Sequence, residues 1–245
     1  MNMRLSVFHF LIAVCFLSAT ATAQTNSPAN QRHNTRPENP HATASPSRDS
    51  QTNGTAINFS YEFNQPEFII AHIRIEHDGA GRGRIAFRYR SETENLTEPL
   101  EISSDALARI TGLWSTLGFL ESGANYQTPR QLPHLGTVRL AVRRGEAIER
   151  TTEFNWTSDR NAFALANEYR RIADQALFVF DINIARQNRP LETPSIMTRL
   201  ESLLRRNALS DARQLVPLLR DLATDERLPL MARTKAERLI ERIAR

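Results

Sequence analysis

Cysteine and lysine are almost absent from this chain of 245 residues. The one cysteine, Cys15, lies in an apolar N-terminal stretch, and Lys235 is the one lysine beside 30 arginines. A chain that loses Cys15 with a cleaved leader can form no disulfide, thiolate metal site or cysteine nucleophile. In an oxidising compartment such a fold is held by its hydrophobic core alone.

Long apolar runs are also lacking beyond the first 23 residues. Residues 1–23 combine Arg4, an apolar stretch at 5–17 and the small residues Ala21 and Ala23, the pattern of a secretory signal peptide. We therefore expect cleavage near Ala23 and export to the periplasm or the extracellular space. No later segment is apolar enough to predict a transmembrane segment in the mature chain.

Residues 24–56 have almost no large apolar side chains and contain four prolines among Asn, Ser, Thr and Gln. Such a segment cannot bury enough surface to offset the entropy of an ordered chain. The composition predicts a disordered linker between the signal peptide and the folded part.

Known catalytic motifs are missing as well. The sequence has no Gly-x-Ser-x-Gly, no His-Glu-x-x-His and no Walker loop. The Gly-rich residues 78–83 (DGAGRG) join two amphipathic segments without a following helix, which favours a hairpin turn over a phosphate loop. His72 and His77 are five residues apart on one predicted strand and so face opposite sides. We expect no catalytic residue, no metal site and no cofactor, and favour a protein without enzymatic activity.

Residues 57–186 alternate apolar and polar side chains in five segments: 57–63, 68–77, 84–90, 137–143 and 147–156. Strands with one polar face are typical of antiparallel sheets. Two stretches of helical periodicity accompany them. The pattern predicts an α+β domain in which an antiparallel sheet of about five strands is covered on one face by two helices. This region has 15 Arg against 17 Asp and Glu, so no nucleic-acid partner is expected.

The two predicted helices of this domain have recognisable ends. Ser104 is placed to cap the first helix, and Gly118 to end it. The second helix is expected to start near Ser158 and Asp159 and to reach about Ala185, with Phe163 in its apolar stripe.

Residues 187–245 predict a small all-α C-terminal region, with helices starting near Thr193 and Pro229 and a third near Ser210 or Pro217. Within residues 215–243 the run LVPLL, followed by Asp225, Arg233, Ala236, Ile240 and Ile243, resembles one HEAT repeat. The resemblance implies two antiparallel helices whose turn is pinned by Asp225 and Arg233, and a protein-binding surface. The alternative is a small helical cap packed on the sheet domain.

The C-terminal region also carries 12 basic against 8 acidic residues. Arg205, Arg206, Arg213 and Arg220 are candidates for contact with an anionic surface. Acidic residues lie between them, and this spacing favours a solvated helix face with local ion pairs.

The candidate binding residues lie in the loop 121–136. Tyr126, Arg130 and His134 stand there among prolines and polar residues. Long polar loops on a rigid scaffold often carry binding residues. Arg130 is suited to an anion, and Tyr126 and His134 to stacking or hydrogen bonding; the alternative is a connector stiffened by proline.

Three functions are therefore expected, in this order. The first is an exported, non-enzymatic module that binds another protein or a cell-envelope component. The second is an extracytoplasmic hydrolase with an unrecognised site near loop 121–136. The third is a binder of anionic surfaces through the C-terminal arginines.

Overall fold

The computed structural model describes residues 57–145 and 147–245, so the predicted signal peptide (1–23) and linker (24–56) lie outside the described residues. The described residues belong to one compact unit and form six strands and five helices. The strands are β1 (Ile57–Asn64), β2 (Ile70–Asp78), β3 (Arg82–Tyr89), β4 (Leu96–Glu101), β5 (Thr137–Arg144) and β6 (Ala147–Phe154). The helices are α1 (Ser104–Thr116), α2 (Arg160–Asn188), α3 (Thr193–Arg205), α4 (Val216–Thr224) and α5 (Leu230–Ala244).

The six strands form one antiparallel sheet in the order β4-β3-β2-β1-β5-β6. The alternation in β1 decides its two faces: Tyr61 pairs with Leu140 on the buried face, whereas Glu62 pairs with Arg139 on the polar face. Side chains of α1 and α2 join the buried face in one hydrophobic cluster. The predicted α+β class, with an antiparallel sheet under two helices, is confirmed.

Strand β4 is the element that the alternation analysis leaves out. Its sequence LTEPLE contains Pro99, which has no backbone N–H to donate to a neighbouring strand. The position is tolerated because, among the described strands, β4 pairs only with β3 and forms one edge of the sheet.

Residues 78–83 form the hairpin turn that joins β2 to β3, as predicted. The Asp78 carboxylate accepts hydrogen bonds from the backbone N–H groups of Ala80 and Arg82, both at 2.9 Å, and Gly81 has a φ of 79°. The hydrogen bond from Arg82 N–H is the largest of the effects that hold the pKa of Asp78 below its usual value. The carboxylate is therefore committed to its own turn.

Helix α2 contributes to both hydrophobic clusters of the described residues. Tyr169 and Ile172 pack with the sheet and α1, whereas Phe178 and Ile182 pack with α3, α4 and α5. Polar contacts add to this packing, since Arg186 donates to Asp225 at 2.6 Å and Arg199 donates to Asp181 of α2 at 2.5 Å. The C-terminal helices are thus packed on α2.

No helix among residues 57–145 and 147–245 is long and apolar enough to cross a membrane.

Candidate functional site

Tyr126, the first of the predicted binding residues, is buried with 5% of its surface exposed. Its ring lies parallel to that of Phe119, with centroids 6.4 Å apart, and the Arg150 guanidinium lies over both rings. Arg150 also donates to the carbonyl oxygens of Phe119 and Ala124. Tyr126 therefore helps to hold its loop against β6.

Arg130 and His134 are exposed, and the structure gives contacts through their backbones. The Arg130 carbonyl accepts a hydrogen bond from the Thr128 hydroxyl at 2.9 Å, and the His134 carbonyl accepts one from the Gln65 amide at 2.9 Å. Within the described part of the chain, no hydrogen bond, ion pair or ring contact joins the side chains of Tyr126, Arg130 and His134. A joint role for the three in binding stays a prediction.

A cavity of about 850 Å³ opens beside this loop, and we call it the aromatic cavity. It lies between the turn that joins β1 to β2, the segment after β6 and the N-terminal half of α2. Its volume falls in the range of sites for small organic ligands. A second cavity, of about 370 Å³, lies between β4, α2 and the segment before α4.

Exposed apolar side chains gather around the aromatic cavity. Phe68, Ile69, Trp156 and Phe163 line it, with exposed fractions of 45%, 76%, 43% and 44%. The rings of Trp156 and Phe163 meet edge to face at 6.1 Å. Isolated exposed apolar residues are ordinary on a protein surface, but a group of them around a concavity marks a binding site.

Hydrogen bonds from the neighbouring loop fix the cavity's rim. The Gln65 side-chain amide donates to the carbonyls of Pro133 and His134, and the Trp156 carbonyl accepts from the Thr128 N–H at 3.1 Å. Residues of loop 121–136 thus tie the two rim segments together. Among them, Leu135 lines the cavity itself.

Gly136 permits the close approach of this loop to the sheet. Its φ is 83°, and a Cβ at this position would lie 2.7 Å from ring atoms of Phe63. A residue with a side chain would be strained there and would push on the ring that floors the cavity.

Two donors face the aromatic cavity without an acceptor among the described residues. Tyr61 is fully buried and stacks on Tyr169 at 5.1 Å, and no described residue accepts a hydrogen bond from its hydroxyl group. The Arg170 guanidinium lies 5.3 Å from the centroid of the Phe63 ring and forms no ion pair within 4 Å among these residues. Burial raises the pKa of Tyr61 to about 12, an effect that nearby Arg170 opposes.

Asp174 lies one helical turn beyond Arg170 and also lines the cavity. Burial raises the pKa of its carboxyl group, whereas Arg206, Arg199 and Arg170 act in the opposite direction. The cavity therefore brings together a buried hydroxyl, a guanidinium over an aromatic ring and a partly buried carboxyl group near three cations, with Glu67, Asn155, Thr157 and Asn167 as its other polar lining residues.

The two strand histidines have separate structural roles. His72 lies on the polar face of the sheet, where its Nε2 is 2.9 Å from a Glu62 carboxylate oxygen. His77 lies on the buried face and is 2% exposed. They face opposite sides, as predicted, and no group of three His, Cys, Asp or Glu among the described residues is arranged to hold a metal ion.

The four candidate arginines of the C-terminal region are exposed on and near α3 and α4. Arg205, Arg206, Arg213 and Arg220 form no ion pair within 4 Å in the described part of the chain. The expectation of a solvated face is met at these positions, but the expected local ion pairs are not formed there.

Several cavity residues escaped the sequence analysis for identifiable reasons. Phe163 fits the apolar stripe of its helix, but it lies on the row of residues with Asn167 and Arg170 that lines the cavity and so stays exposed. The sequence predicts a strand from Phe68, but the strand begins at Ile70, so Phe68 and Ile69 lie in the turn before it. The run of three apolar residues at 68–70, which breaks the alternation, was the available signal.

No protein-family model matches the chain, and the comparison with curated proteins found no match either.

Proposed function

We propose that this protein is an exported, non-enzymatic binding module that takes the apolar part of a small envelope component into the aromatic cavity. The observation that carries the proposal is the gathering of Phe68, Ile69, Trp156 and Phe163 around one concave space of about 850 Å³. Burying exposed aromatic surface on a ligand is favourable by about 25 cal/mol per Å².

The shape of the site favours a small ligand over a protein surface. Protein interfaces cover about 800 Å² on each partner and are usually broad. The aromatic cavity is instead a local recess between two loops and one helix, with a few polar groups inside an apolar lining. That combination is typical of small-molecule sites.

Export is part of the proposal and is supported by the sequence of residues 1–23 alone. An envelope location would also bring the cavity close to amphipathic molecules, which expose apolar surface to water.

The experiment is a fluorescence titration of the purified protein with the neutral apolar dye N-phenyl-1-naphthylamine. We expect saturable binding, and we expect Phe163→Ser to weaken it roughly tenfold because a rim aromatic contact is removed. Phe163 is already 44% exposed, so the variant should fold normally. Circular dichroism and the melting temperature verify folding.

Leu230→Ser is the matched control, because Leu230 is also a large exposed apolar residue on a helix but lies on α5. It should bind the dye as the wild type does. Non-saturable dye binding, or equal affinity of Phe163→Ser and the wild type, would refute the proposal.

A second candidate function belongs to residues 215–243, whose sequence resembles a HEAT repeat. The observation that favours a protein-binding role is the pair Leu230 and Met231, 68% and 64% exposed in the first turn of α5 beside Lys235 and Arg238. If Leu230→Ser loses dye binding and Phe163→Ser does not, the apolar binding site lies on α5 instead of at the aromatic cavity.

A further inference from the structure

We propose that the ligand of the aromatic cavity is an amphipathic molecule with a single anionic group, whose head binds Arg170 and Tyr61 while its apolar body lies against the rim. This inference rests on the proposed function and specifies the chemical class of the ligand. A long-chain carboxylate is the simplest molecule of this class.

The Arg170 guanidinium is placed to bind an anionic head group. Its central carbon lies over the Phe63 ring, 5.3 Å from the ring centroid, and the side chain is exposed at the mouth of the cavity, where an anion from solvent can reach it. It has no carboxylate within 4 Å among the described residues. A guanidinium held in this way is ready to bind an anionic oxygen through charge-assisted hydrogen bonds.

A second feature of the cavity is the buried hydroxyl of Tyr61. Tyr61 lines the same cavity and is buried beside Arg170, and no residue in the described part of the chain accepts a hydrogen bond from its hydroxyl group. Other buried side-chain atoms of the described residues also lack a partner, but among the buried hydroxyl groups that do, only that of Tyr61 belongs to a residue lining the aromatic cavity. An acceptor on the ligand would satisfy this hydroxyl group, and an anionic head bound to Arg170 brings such an acceptor.

The acidic residues of the cavity do not reverse this preference. Asp174 already faces Arg170, Arg199 and Arg206, and Glu67 lies in the exposed turn at the rim. Asp181, the next carboxylate along α2, is paired with Arg199. Burial raises the pKa of the Asp174 carboxyl group and so disfavours its charged form, whereas the Arg170 guanidinium stays charged.

The segment that precedes the described residues is a poor occupant of the cavity. Residues 24–56 contain no Leu, Ile, Val, Met, Phe, Tyr or Trp. A segment of this composition offers no apolar body for the aromatic rim. Once residues 1–23 are cleaved, as the proposed export requires, the apolar part comes from another molecule.

The test compares three probes that share one ten-carbon chain and differ in the head: decanoate, decanol and decylamine. Each displaces the dye from the purified protein at neutral pH, below its micellar concentration. We expect decanoate to bind roughly tenfold more tightly than decanol, and decylamine to bind most weakly. Tighter binding of decylamine would assign the head-group site to Asp174 and overturn the inference.

Two variants locate the head group. Arg170→Gln should abolish the preference for decanoate over decanol while leaving decanol binding unchanged. Tyr61→Phe should reduce the preference several-fold with little loss of stability, because no described residue accepts a hydrogen bond from the hydroxyl that it removes. The matched control is Arg220→Gln, an exposed arginine of α4 outside the cavity, which should keep the full preference.

The two proposals fail in different ways. If neither the dye nor decanol binds, the proposed function is wrong. If both bind, but decanoate binds no more tightly than decanol, the inference of an anionic ligand is wrong and the proposed apolar binding site is retained. The same holds if Arg170→Gln keeps the preference for decanoate.

Discussion

At the scale of single residues, a chain of buried hydrogen bonds links the sheet to both of its covering helices. Trp114 of α1 donates its indole N–H to the Tyr169 hydroxyl oxygen at 3.0 Å, and that hydroxyl lies 2.8 Å from His77 Nε2. His77 Nδ1 lies 2.7 Å from the Asp78 carbonyl oxygen. All polar atoms are satisfied when His77 is neutral with its proton on Nδ1 and accepts from Tyr169.

This arrangement predicts that stability falls on mild acidification. Burial lowers the pKa of His77 below its ordinary value, so the unfolded chain takes up a proton before the native protein does. The free energy of unfolding should decrease as the pH falls below about 6.5, by at most about 1.4 kcal/mol per pH unit for one proton. The loss stops once the pH passes the lower pKa of the native state.

Urea unfolding of the wild type and of His77→Gln over this pH range gives two free energies of unfolding at each pH. The pH dependence of their difference is the contribution of His77. The variant is expected to be less stable at neutral pH and to lack this part of the pH dependence. His134→Gln, which changes an exposed loop histidine, should retain it. Identical slopes for the wild type and His77→Gln would contradict the assignment.

Residue patterns predicted which side of a strand a side chain faces, but not which loop side chains become buried. The alternation of side chains along a strand was enough to place His72 and His77 on opposite faces of the sheet. The burial of Tyr126 depends instead on Arg150, 24 positions later, which covers its ring from β6. The cavity likewise joins Tyr61, Trp156 and Arg170, and nothing local to any one of these residues reveals the other two.

At the scale of elements, the starts of most helices could be predicted from the sequence, whereas the polar contacts between elements could not. Asp159 caps α2 by accepting from the N–H groups of Asn161 and Ala162, and Pro217 lies in the first turn of α4. The first helix is capped by Ser103 instead of Ser104. Ser210, a candidate cap in the sequence, instead donates its hydroxyl to Glu168 at 2.7 Å.

The buried carboxylate of Glu168 connects several elements through hydrogen bonds. It is 1% exposed, and its carboxylate accepts from Arg109 of α1 at 2.8 Å, from Arg171 at 2.5 Å and from Ser210. Arg109 also donates to the Ser210 carbonyl. One carboxylate thus connects α1, α2 and the segment that leads into α4.

Replacing Glu168 by Ala should lower the free energy of unfolding by roughly 2–3 kcal/mol, because the partners lose a buried anion. The arginines are partly exposed and can be rehydrated, so the loss stays below that of a fully buried pair. Urea unfolding measures it against Glu237→Ala, which removes an exposed carboxylate of α5. A Glu168→Ala protein as stable as this control would show that the hydrogen bonds of Glu168 do not contribute to the free energy of unfolding.

At the scale of the whole molecule, α2 is the element on which both hydrophobic clusters depend. The boundary predicted at residues 186 and 187 separates the sheet from the C-terminal helices along the sequence. The 29 residues of α2 nevertheless supply Tyr169 to one cluster and Phe178 to the other. The sequence showed an amphipathic stripe on α2, but periodicity alone does not tell how many partners a long helix has.

Because both clusters share α2, we expect the described residues to unfold in one cooperative transition. Separation of α3, α4 and α5 would expose Phe178 and Ile182, each fully buried, at a cost of roughly 1.5–3 kcal/mol per side chain. Residues 187–245 contain no Trp, Tyr or Phe. Tryptophan fluorescence therefore reports on the sheet region, whereas far-ultraviolet circular dichroism also reports on the C-terminal helices.

Both signals, followed in one urea titration, should give the same midpoint, since coincident probes are the mark of two-state unfolding. A helical signal that is lost at lower urea than the fluorescence would show that the C-terminal helices unfold alone. The variant Asp225→Ala sharpens the comparison, because it removes the partner of Arg186 on α2. It should lower both midpoints together, since weakening one contact to a shared helix weakens the whole fold.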